Sequence, residues 1–85
     1  LSDSLAAYTD ECIESNTDGS IQKEEFYASY AEWCRSNKLI PKTVIKVGRD
    51  LPVLMSVITW QMGGGKRGWK GIRFKSNNKQ LNTTL

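Results

Sequence analysis

The chain contains no histidine, two cysteines and two prolines. Without imidazole, two thiols cannot complete a tetrahedral zinc site, and acid–base chemistry has no histidine to run on. The longest apolar run, residues 51–55, is interrupted by Pro52. It falls far short of the ~20 residues a membrane-spanning helix requires. There is no signal-peptide pattern, and the first residue is Leu1 rather than Met. We therefore expect a piece of a longer cytoplasmic protein. We expect no catalytic centre and no cofactor within it.

What is present is ordinary globular chemistry. Hydrophobic residues make up 39% of the chain, charged residues 25%, and three Trp, three Tyr and two Phe can fill one small core. A chain of 85 residues closes a single domain. The net charge of +3 conceals an asymmetry. Residues 1–40 carry eight acids against three bases, a net of −5. Residues 41–85 carry one acid, Asp50, against nine bases, a net of +8. Such polarity is expected of a polyanion-binding face; chance clustering of solvated lysines is the bland alternative.

Asp3 or Ser4 can cap a first helix over residues 5–15, where Leu5, Tyr8, Cys12 and Ile13 form one apolar stripe. Asn16-Thr-Asp-Gly19 reads as a turn, and residues 20–22 as a very short strand. A second helix is predicted over residues 23–37, with Phe26, Tyr30, Trp33 and Cys34 on one face. Thr43 can cap a third over residues 44–51, with Val44, Val47 and Leu51 inward and Pro52 stopping it. Residues 56–62 and 69–75 alternate around Gly63-Gly-Gly-Lys-Arg-Gly68, the pattern of a β-hairpin with a flexible tip. Trp33, Trp60 and Tyr30 read as core, Trp69 has no settled role, and Cys12 and Cys34 read as thiols rather than a disulfide.

Three helices and a basic-tipped hairpin are the element order of a winged helix-turn-helix, an α+β fold in which the third helix enters the major groove and the wing touches the backbone. Lys42, Lys46 and Arg49 recur at i, i+4 and i+7 opposite the apolar stripe, while Lys66, Arg67 and Lys70 crowd the tip. Together with Thr43 and Arg73 they form the expected DNA-binding set. Arg49 is the expected base reader, because its fork suits guanine.

Three blocks carry a family resemblance: Phe26-Tyr27-x-x-Tyr30-x-x-Trp33-Cys34-x-x-Asn37, then Gly48-Arg49-x-Leu51-Pro52, then Arg67-Gly68-Trp69-x-Gly71-Ile72-Arg73-Phe74. The chain resembles the C-terminal winged-helix domain of phage, plasmid and nucleocytoplasmic-virus primase–helicases, whose ATPase core is of the superfamily 3 type. The resemblance implies a non-catalytic DNA-binding domain, expected over residues 1–75, with double-stranded origin DNA as ligand; residues 76–85, polar and without period, read as a flexible tail. Its other partners would be the helicase and primase domains of the same parent chain.

Two other readings compete. A winged helix can instead dock protein partners. Glu14, Asn16, Asp18, Ser20 and Glu25 fit the spacing of a calcium loop, although its first ligand is Glu rather than Asp and there is no second hand to pair with. A phosphate loop at Gly65-Lys66 fails its template, which needs Ser or Thr where Arg67 stands and Gly where Trp60 stands.

Overall fold

The computed structural model of the chain describes residues 3–61 and 63–75. The expected tail, residues 76–85, lies outside them, as does Met62. The chain runs α1 (Ser4–Cys12), β1 (Ile13–Gln22), α2 (Lys23–Ser36), α3 (Val44–Leu54), β2 (Ile58–Gln61) and β3 (Arg67–Phe74). The fold is α+β, with three helices and a three-stranded antiparallel sheet ordered β1-β3-β2 among the described residues.

Asp3 caps α1 as the sequence suggests, its side chain accepting from the backbone N–H groups of Leu5 and Ala6. The helix stops at Cys12, however, and the chain continues as a ten-residue strand instead of a turn and a three-residue one. The turn chemistry of Asn16–Gly19 is real but does not reverse the chain. The Asp18 N–H donates to Asn16 Oδ1 at 2.9 Å, and the segment bulges out of β1 between Ser15, opposite Ile72, and Ser20, opposite Lys70. β1 therefore pairs with β3 on both sides of the bulge, with Gly71 at φ +98 on the facing strand.

That facing bulge changes the alternation of β3. Trp69 and Ile72 are both buried, while Lys70 and Arg73 are exposed. Trp69 meets Phe26 edge-on at 5.2 Å between ring centroids, which gives it a core role. Tyr8 packs against Phe26, Tyr30 and Trp33, and Val47, Leu51, Ile13 and Ile21 complete the core. Trp60 is not part of this core. It stands half-buried on the sheet face away from the helices, beside Ile58, which is 69% exposed. Cys12 and Cys34 form no disulfide.

The connector from α2 to α3 is fixed by tyrosine hydroxyls. The Lys42 N–H donates to Tyr30 Oη at 2.7 Å, Tyr30 Oη lies 2.7 Å from Ser4 Oγ, and Ser4 Oγ donates to the Ile40 carbonyl. Tyr27 Oη donates to the Lys42 carbonyl. Thr43 Oγ1 accepts from the Lys46 N–H and caps α3. The helix passes through Pro52 and ends at Leu54, one turn later than expected. Proline removes a single donor there, and the Met55 N–H still closes onto Leu51. No helix among the described residues is long and apolar enough to cross a membrane.

Candidate nucleic-acid interface

The hairpin tip is open. Gly64 and Gly65 both have φ near +80, and nothing lies within 4 Å of a side chain built at either. Arg67 begins β3 opposite Gln61. Strand alternation aims it to the same side as Trp69, toward the helices. There it lines a groove of about 180 Å³ with Gln22, Lys23, Glu24, Gly65 and Lys66.

Lys23, the first residue of α2, joins this groove to α3. Its Nζ lies 3.7 Å from the position a Cβ would take on Gly48. Arg49 follows Gly48 on the outward side of α3, and its guanidinium is mostly exposed, with Nε 3.5 Å from Asp50 Oδ1. Lys46 is exposed farther around the same face. Lys23, Lys66 and Arg67 thus share the tip groove, with Gly48 of α3 beside Lys23 and Glu24 as the only acid lining the groove among the described residues.

Four expected members of the set do not join them. Lys42 precedes α3 and turns inward, its Nζ 3.1 Å from Asp3 Oδ1 and 3.0 Å from Asp50 Oδ2. The hydrogen bond to Asp50 raises the Lys42 pKa and holds the Asp50 carboxyl below its usual range. At Asp3, partial burial works the other way but is outweighed by hydrogen bonds from Ala6 and Lys42, so its pKa is also lowered. Lys70 lies on the outer sheet face, with Nζ 5.2 Å from the centre of the Trp60 ring. Arg73, on that face too, is paired with Glu14. Thr43 acts as a helix cap.

The calcium spacing is not realised as a loop. Glu14 and Ser20 are paired strand residues, Glu14 holds Arg73, and Glu25 sits in the first turn of α2. No group of three or more Asp, Glu, Cys or His side chains that could hold a metal ion gathers among the described residues.

Lys23 is the residue that sequence reasoning missed. It lies within the acidic half and is followed by Glu24 and Glu25, so every local charge count assigns it to the wrong face. Only the passage of β1 alongside β3 brings the start of α2 up to the hairpin tip. Neither protein-family models nor curated proteins gave a match to the chain.

Proposed function

We propose that the chain is a winged-helix module that binds duplex DNA, of the kind attached to primase–helicases. One observation carries this reading: Lys23, which lines the groove at the basic hairpin tip, also reaches the flank of α3 at Gly48, next to Arg49 in the chain. In this reading two cationic segments far apart in sequence act as one surface. The element order supports it too, because a helix leading into a hairpin is the arrangement in which helix and wing meet DNA side by side. In this reading Arg49 and Lys46 lie in or over the major groove, and Lys23, Lys66 and Arg67 contact phosphates. The outer-face cations Lys70 and Arg73 and the half-buried, acid-paired Lys42 take no part.

Neutralising about three phosphates releases their counterions, so log K falls against log salt with a slope near −2.7. Fluorescence anisotropy with a labelled duplex should therefore show an affinity loss of about 40-fold from about 50 to about 200 mM salt. An affinity that barely changes over that range overturns the reading. Titrating single-stranded and forked DNA alongside shows which form is preferred.

A further inference from the structure

The outward face of α3 is not purely cationic. Ile45 is 80% exposed and Val53 83% exposed, whereas Val47 and Leu51 on the opposite side are buried. At about 100° per residue, Ile45 and Val53 lie about 40° to either side of Arg49. They are separated by about 12 Å along the helix, the length of three to four base-pair steps. Two large aliphatic side chains left in water around a central guanidinium call for a ligand that is anionic at its edges and apolar at chosen points. The cations at the edges, Lys46, Lys23, Lys66 and Arg67, select a polyanion. On the floor of the major groove, the apolar group within reach of an aliphatic side chain is the C5-methyl of thymine.

We propose that α3 reads thymine methyl groups through Ile45 and Val53, on either side of a guanine held by Arg49. The inference rests on the DNA-binding reading above and names its ligand class: duplexes in which thymine flanks guanine in the major groove.

The test compares two probes, a short duplex of alternating d(G-T)·d(A-C) and the same duplex with deoxyuridine in place of thymidine. The exchange removes methyl groups and leaves charge and pairing unchanged. At fixed salt the uracil duplex should bind more weakly by about fourfold for each methyl buried, or ~4- to 15-fold in all. The Ile45→Ser/Val53→Ser variant should bind both duplexes equally. Circular dichroism checks its fold, and two exposed positions should leave the spectrum unchanged. Equal affinity of the wild-type chain for both duplexes, with the salt dependence intact, overturns the inference while sparing the DNA-binding reading. A variant that keeps the wild-type preference for thymine also overturns it, and assigns the two side chains to a protein partner. The absence of salt-sensitive binding to either duplex removes both.

Discussion

At the residue scale, single hydroxyls and one lysine decide what the core and the connector can tolerate. Tyr8 is fully buried and donates to Ser29 Oγ at 2.6 Å. Burial pushes its phenol up to about 12, against an ordinary value near 10. Burial raises Tyr30 in the same direction. A raised folded pKa means that the stabilisation is fully present below pH ~10 and is lost as pH climbs toward ~12. For Tyr8 this amounts to about 2–3 kcal/mol. Denaturant midpoints measured along an alkaline series should therefore fall above pH ~10. Tyr8→Phe should flatten that fall in part, leaving the share of Tyr30. The depressed Asp3 and Asp50 have the opposite sign: their contribution is present above pH ~4 and lost as acid protonates them. Lys42→Met should lower the melting temperature at neutral pH, with the gap to wild type closing below pH ~4. Its salt slope for duplex DNA should stay that of the wild type.

At the scale of elements, the backbone carries information that charge and hydropathy do not. α2 ends in a Schellman arrangement, with the Leu39 N–H donating to the Cys34 carbonyl at 2.8 Å and the Lys38 N–H to the Arg35 carbonyl at 3.2 Å. Lys38 occupies the left-handed position at φ 59, which costs a side-chain-bearing residue about 1 kcal/mol. Lys38→Gly should therefore raise stability by about that amount in urea unfolding. The reverse holds where β1 and β3 touch. A Cβ on Gly68 would lie 2.4 Å from the Ile21 carbonyl oxygen, which belongs to paired backbone and cannot move aside. Gly68→Ala should cost more than about 2 kcal/mol, and a near-wild-type denaturation midpoint would show that the two strands are not in this register.

At the scale of the molecule, the question is which cations share a surface. Lys70 looks like part of the tip cluster in the sequence, and Lys23 looks like part of the acidic half; the structure exchanges them. Lys23→Ala should reduce the salt slope of duplex binding by about 1, whereas Lys70→Ala should leave it unchanged. Equal effects of the two substitutions would show that DNA also contacts the outer sheet face. The −5 half has a place in this picture. Its acids cluster on α1, α2 and the first strand, while Glu14 and Asp3 neutralise cations, Arg73 and Lys42, that would otherwise widen the positive surface.

Helical periodicity and caps made the three helices legible, because those are local properties: Asp3 and Thr43 cap where expected, and Tyr8, Tyr30, Val47 and Leu51 face inward. The glycine-rich tip and the hairpin around it were legible for the same reason. The first strand was legible only over residues 20–22, since Asn16–Gly19 carries turn chemistry and only pairing with β3 across some fifty residues of sequence turns it into a bulge within a longer strand. Nor could alternation show that a bulge at Gly71 puts Trp69 and Ile72 on the same side, or that Trp60 faces away from the core. The sequence by itself determined how much positive charge there is and which segments carry it. Which of those charges meet was decided only by the tertiary structure, because strand pairing and helix packing bring together residues whose separation along the chain no local pattern can register.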